Sequence, residues 1–198
     1  MTYNGSLTRE QFMFQEMRTV AKLLSEGMSD ADVLKRVSED NLFQYPTERE
    51  IKSKCGACLK RLKCVEDMPV ISKAIGYGAL SEAKQAVLIS MMCQNQLVAD
   101  FMICVIGDKY RNLDMTITRK DMNVFFQNLA QSNETVASWS DNTIKKIKTV
   151  LRGCLAETEY ISDARSDVLQ PVMLSGEFED ELIHAGHRVF LPAFNVLD

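Results

Sequence analysis

With 198 residues, 46% of them hydrophobic and 25% charged, the chain has an ordinary globular composition, long enough for one domain or two small subdomains. Nine glycines and four prolines supply few turn signals, which disfavours many short strands and favours long helices. The net charge of −4 decides nothing about nucleic acid, because binding needs a local basic patch rather than a basic total.

That charge is unevenly spread. From Gly153 onward nine acidic residues face only Arg165 and Arg188, a charge of −7, which leaves +3 for the residues before it. The N-terminus is polar and then amphipathic, without the apolar stretch of a secretory signal. The most apolar region, Ala86 to Ile106, is interrupted by Gln94, Asn95 and Gln96 and again by Asp100. A spanning helix needs roughly 20 nearly unbroken apolar residues, so two buried helices meeting near Asn95 are expected instead.

In chain order, Thr8 is expected to open a helix with Leu7, Phe12, Val20 and Leu24 as its apolar stripe, ended by Gly27. Ser29 or Asp30 caps a short second helix that ends near Asn41. After Pro46, Thr47 and Glu50 have capping-box spacing and open a helix to about Val65, with Ile51, Cys55, Leu59 and Leu62 inward. A short piece spans Ile71 to Ile75. Gly76-Tyr-Gly78 then reads as a hinge between subdomains at residues 1–76 and 79–198, with one compact unit as the alternative.

Beyond the hinge, Ser81 is expected to cap a helix to about Gln94, followed by another from Gln96 to Ile106 and a polar connection over Gly107–Thr116. Thr118 caps a helix through Gln131 that carries Met122, Phe125, Phe126 and Leu129. After a turn at Thr135 to Trp139, Ser140 caps the last long helix, with its seam at Ile144, Ile147, Leu151 and Leu155. Val168–Leu174 and Val189–Phe194 read as short extended segments around a helix near Glu177–Ala185. The class is all-α: a globular helical bundle with helix-turn-helix-like units and a small C-terminal β-hairpin.

The chain has no P-loop, GxGxxG, GxSxG or HExxH motif, and its two histidines, His184 and His187, adjoin no serine or cysteine nucleophile. It is expected to be a non-enzyme with no cofactor and no small-molecule substrate. Six cysteines in a chain of this kind imply free thiols. Cys55-Gly-Ala-Cys58, with Cys64 and the histidines, holds enough ligands for a zinc site. However, Cys55 and Cys58 share a helix face with Ile51 and Leu59, where small buried apolar residues are the better reading, so no metal is expected.

Two helices are basic on their outer faces. Thr47–Lys63 holds six bases against Glu48 and Glu50, with Arg49, Lys52, Lys60 and Lys63 opposite the apolar seam and Lys54 and Arg61 beside it. Lys145, Lys148 and Arg152 form a second outward row, next to Lys146. Each basic helix follows a shorter helix and a turn, the order of a helix-turn-helix, in which the second helix enters the major groove. Such rows neutralise phosphates without reading sequence. A solvated helix face is the competing account of each.

Several short segments resemble the BREX protein A family: Tyr3-Asn-Gly-Ser-Leu7, Glu16-Met-Arg18, Leu23-Leu24-Ser-Glu-Gly27 and Glu39-Asp-Asn-Leu42. Arg61-Leu62, Asp100-Phe101, Trp139-Ser140 and Leu155-Ala-Glu157 extend the match to about residue 160. Their order and spacing carry the resemblance, since each is only a few common residues. The resemblance implies an all-helical cytoplasmic protein of a phage-exclusion island, with two helix-turn-helix units, duplex DNA as partner and no catalytic residues. The other BREX proteins it implies are a DNA adenine methyltransferase, a phosphatase-like protein, a large ATPase and a Lon-like protease. The acidic last forty-odd residues lie outside it.

The leading expectation is therefore a soluble, non-membrane component of a BREX defence system. It binds duplex DNA through Arg49, Lys52, Lys60, Lys145, Lys148 and Arg152. The alternative is an assembly protein whose acidic end docks other BREX proteins. RNA recognition by shape is a third reading, without the interleaved aromatics that single strands require.

Overall fold

The computed structural model describes residues 3–196 and divides the chain into two compact units, residues 13–94 and residues 3–12 with 95–196. Among the described residues there are eleven α-helices and no strand longer than a single bridge. The chain is all-α.

In the first unit, α1 (Phe14–Ser25) buries Phe14, Met17, Val20 and Ala21. It starts later than its sequence suggests. Thr8 lies in a lone 3-10 turn (Ser6–Thr8), where its hydroxyl donates backward to the Gly5 carbonyl at 2.9 Å instead of accepting from a helix amide. The chain enters α1 through Met13 in the left-handed region (φ 53°), and leaves it through Gly27 (φ 86°), as the glycine predicts. α2 (Asp30–Glu39) is capped by Ser29, and α3 (Glu48–Lys63) by Thr47, whose hydroxyl accepts from the Glu50 amide at 3.3 Å.

α4 (Pro69–Tyr77) has Pro69 in its first turn, where no amide partner is lost. α5 (Leu80–Gln94) buries Ala83 and every residue from Ala86 to Cys93, and packs against α1, α3 and α4. Ser81 lies within the first turn of α5 and is not its cap. Gly76 sits where α4 crosses α1: an added Cβ would lie 3.6 Å from Ala21 Cβ. Gly76 and Gly78 thus fall inside this unit, and the division of the chain comes at 94/95 rather than at the expected 76–79.

In the second unit, Asn95 caps α6 (Gln96–Phe101) by accepting from the Leu97 amide at 3.0 Å. A π-helical stretch (Met102–Gly107) and α7 (Asp108–Arg111) continue the run beyond the expected end at Ile106. α8 (Arg119–Ser132) begins with a complete capping box: Thr118 and Asp121 satisfy each other's backbone amides. α9 (Glu134–Ala137) and α10 (Asp141–Glu157) follow, capped by Asn133 and Ser140. α10 buries Ile147, Leu151, Cys154 and Leu155. The N-terminal residues belong to this unit too, with the Tyr3 hydroxyl donating to the Asp100 carboxylate.

The expected terminal hairpin does not form. Val168 makes an isolated antiparallel bridge to Thr116, and Arg188–Phe194 is a 3-10 helix after α11 (Gly176–His184). Phe190, Leu191, Ala193 and Phe194 are all buried, a pattern that a hairpin strand with one solvated face cannot satisfy, and Pro192 has no amide for a ladder. The buried Tyr160 hydroxyl donates to the Ala193 carbonyl at 2.9 Å and holds the segment in place. No single helix among the described residues is long and apolar enough to cross a membrane.

Candidate nucleic-acid interface

The basic side chains of α3 do not all face outward. Arg49, Lys52 and Lys60 are exposed, as the periodicity predicts. Lys52 is held 2.5 Å from Glu48, and Lys63 lies 3.5 Å from Asp30. Arg61 is 1% exposed, and its Nε donates to Gln94 Oε1 at 3.3 Å. Leu59, expected in the core, is only half-buried; Ala57 and Arg61 join Ile51, Cys55, Cys58 and Leu62 there. The packed face of α3 is wider than one seam.

On α10, the row Lys145, Lys148, Arg152 grades from solvent to interior. Lys145 is exposed. Lys148 is half-buried: its Nζ donates to Asn123 Oδ1 at 2.8 Å and lies 5.2 Å above the Phe126 ring, and burial lowers its pKa. The Arg152 side chain is 12% exposed and bonds to the 164–167 segment.

A groove of about 1020 Å³ runs between α10 and the first turn of α8. Six cations line it: Arg119 and Lys120 from α8, Lys145, Lys148 and Arg152 from α10, and Arg165 from the following loop. Among the described residues, the one acid in its lining, Asp167, is paired with Arg152 at 3.0 Å. A second cleft of about 680 Å³ lies on the other flank of α10, beside Thr8, Gln11, Asn142 and Lys146. Lys145 and Thr149 line both, so the N-terminal half of α10 forms a ridge between two depressions.

Arg119, Lys120 and Arg165 are absent from the sequence-based set, because they come from other elements than the basic helix. Two of them carry a signal of their own. Arg119 and Lys120 occupy the first turn of α8, where the helix dipole disfavours cations, so helix stability does not explain their presence. Converging cations with little opposing charge give the groove a positive potential, which attracts anions in general.

Nucleophilic and metal chemistry find less support. Cys55 and Cys58 face the interior of the first unit, as expected. Burial pushes the Cys55 thiol up to about 11 and the Cys58 thiol higher still, which keeps both from acting as nucleophiles. Among the described residues no three His, Cys, Asp or Glu side chains come together to hold a metal ion. A further cavity of about 630 Å³ lies between the 96–111 helical run and α8. Lys109 at its edge is already neutralised by Asp114 (2.7 Å) and Asp121 (3.2 Å).

The sequence profile of the BrxA family matches residues 1–186. The chain is 32% identical over 165 residues to "BREX protein BrxA" of Bacillus cereus (strain H3081.97), covering 83% of this chain and 82% of that one. It is 24% identical over 184 residues to the protein of the same name from Escherichia coli O9:H4 (strain HS), covering 93% and 85%. The fold is similar to the crystal structure of an uncharacterized protein from Magnetospirillum magneticum. The TM-score is 0.83 at 22% identity, over 98% of this chain and 99% of that one.

Proposed function

Since the chain belongs to the BrxA family of BREX phage-defence components, we propose that it serves that system by binding duplex DNA rather than by catalysis. The groove carries the reading: among the described residues, six cations from three separate elements line it along α10, with one acid that is already paired. In this reading α10 presents Lys145 and Thr149 to the DNA, while Arg119, Lys120 and Arg165 contact the flanking phosphates. α9, the turn at Trp139 and α10 keep helix-turn-helix order. Arg49 and Lys60 on α3 offer a further phosphate-binding face in the other unit. A salt titration by fluorescence anisotropy tests this. The log of affinity should fall linearly with log salt, and Arg119→Ala with Lys145→Ala should reduce the slope by about two units. Absence of duplex binding even at about 50 mM salt would refute the reading.

A second reading, assembly with other BREX proteins, draws support from the acidic end. α11 carries Glu177, Glu179, Asp180 and Glu181, and nearby Met173 and Val189 are 72% and 59% exposed. Under it, Met173→Ser with Val189→Ser abolishes co-purification with a BREX protein and leaves DNA affinity unchanged.

A further inference from the structure

We infer that Arg152 is a positioning residue of the basic groove, not one of its phosphate contacts: its guanidinium joins the two chain segments that carry Arg119, Lys120 and Arg165. This rests on the reading of the groove as a DNA site, and extends it by giving Arg152 the role of building the site rather than of contacting phosphate.

The side chain leaves α10 and spends its donors on protein oxygens. Nε donates to the Ala164 carbonyl at 2.9 Å, Nη1 to the Ile117 carbonyl at 3.1 Å, and Nη2 to the Ser166 carbonyl and to Asp167 Oδ1 at 3.0 Å. A guanidinium has five N–H groups in a rigid fork. Four are consumed here, so the paired donors that grip a phosphate are already committed. With 12% of the side chain exposed, little of the charge reaches the groove directly.

What Arg152 holds is informative. Ile117 immediately precedes Thr118, the cap of α8, and so sets where Arg119 and Lys120 begin. Ala164 and Ser166 flank Arg165. The two segments also pair directly, with the Ile117 amide donating to the Asp167 carbonyl at 2.8 Å and the Leu169 amide to the Met115 carbonyl at 3.0 Å. Asp163 shapes the loop further, its Oδ1 accepting from the Arg165 amide at 2.8 Å and its carbonyl from the Ser166 amide at 3.0 Å. Arg165 is therefore presented on a braced loop, and Arg152 is the brace that reaches both sides.

Lysine keeps the charge but lacks the planar fork that serves four acceptors at once. Hydrogen exchange without DNA and duplex binding across a salt series are compared for Arg152→Lys, Arg152→Ala, Arg165→Ala and the Arg152→Ala/Arg165→Ala double variant. Arg152→Lys and Arg152→Ala should both raise amide exchange over residues 162–169 by about tenfold or more, while Arg165→Ala leaves it unchanged. Both Arg152 variants should weaken DNA binding at least as much as Arg165→Ala, and the double variant should bind no more weakly than Arg152→Ala. Wild-type exchange and affinity in Arg152→Lys would overturn the proposal. So would a loss of about 0.9 in salt slope for Arg152→Ala that adds fully to that of Arg165→Ala, since that is the mark of a separate phosphate contact. Raised exchange in Arg152→Lys, with no DNA binding by the wild type, would leave the brace standing and refute the DNA reading instead.

Discussion

The Arg61 guanidinium on α3 donates from Nε to Oε1 of Gln94, the last residue of α5, at 3.3 Å, and Arg61 is 1% exposed. A charged side chain expected on the helix surface is thus part of the joint between two core helices. Arg61→Ala removes the stem from the core and leaves the Gln94 amide short of a partner, so it should cost about 2–4 kcal/mol. The neighbouring Lys60→Ala should stay within about 0.5 kcal/mol. Urea denaturation distinguishes them; equal effects would mean that Arg61 is not a core residue.

Lys145 and Lys148 should separate in a similar way. Lys148→Ala loses its bond to Asn123 and its position over Phe126, for about 1 kcal/mol of stability. Lys145→Ala should be neutral to about 0.5 kcal/mol in folding yet lower duplex affinity. Thermal melts paired with anisotropy measure both effects in the same preparations.

The thiols should react in order of exposure. Cys104 is exposed and Cys64 half-buried, while Cys55, Cys58, Cys93 and Cys154 are buried. Burial, with Asp100 and Asp108 nearby, raises the Cys104 thiol, so its labelling near neutral pH should be slow but first. Cys93, pushed up to about 12, should be labelled only on unfolding. Replacing both Cys55 and Cys58 with Ala should cost about 1–3 kcal/mol and leave metal content unchanged. A zinc ion lost with that pair would contradict the packing role.

Lys109 gives the second unit a dependence on pH at both ends of the scale. Its ammonium and Thr116 hold Asp114 below the usual carboxylate range. Burial pushes Asp121 up, but the Thr118 hydroxyl and amide and Lys109 pull it further down. Both depressed carboxylates stabilise the fold above the unfolded value near 4, and that contribution fades as pH falls through their folded values. For Lys109, burial lowers the pKa and the two carboxylates more than restore it, to a net rise. Its contribution is complete below the unfolded value of about 10.4 and is lost as pH climbs through the folded one. Lys109→Met should cost about 1–2 kcal/mol near neutrality, allowing for solvent at Asp114. It should also flatten the fall in urea midpoint below pH 4; an unchanged acid limb would refute the assignment.

Local hydrogen-bond chemistry is legible in the sequence by itself. Ser29, Thr47, Thr118 and Ser140 cap the helices their positions announce, because a cap needs only a side-chain oxygen and an amide three residues on. The inward placement of Cys55 and Cys58 follows equally from period, and the BrxA family from the order of short matches along the chain. Thr8 escapes the same logic because its hydroxyl turns back to Gly5, an equally local alternative that composition does not rank. Arg61 and Arg152 escape it for a different reason. A helical wheel knows one buried face, whereas their surroundings are set by α5 in one case and by the 164–167 segment in the other. The groove belongs to the same class: Arg119 and Arg165 reach Lys145 only because packing brings residues more than 15 positions apart to one wall. Period and capping are properties of neighbours in the chain; convergence of charge is a property of which distant segments share a core, and tertiary packing alone decides that.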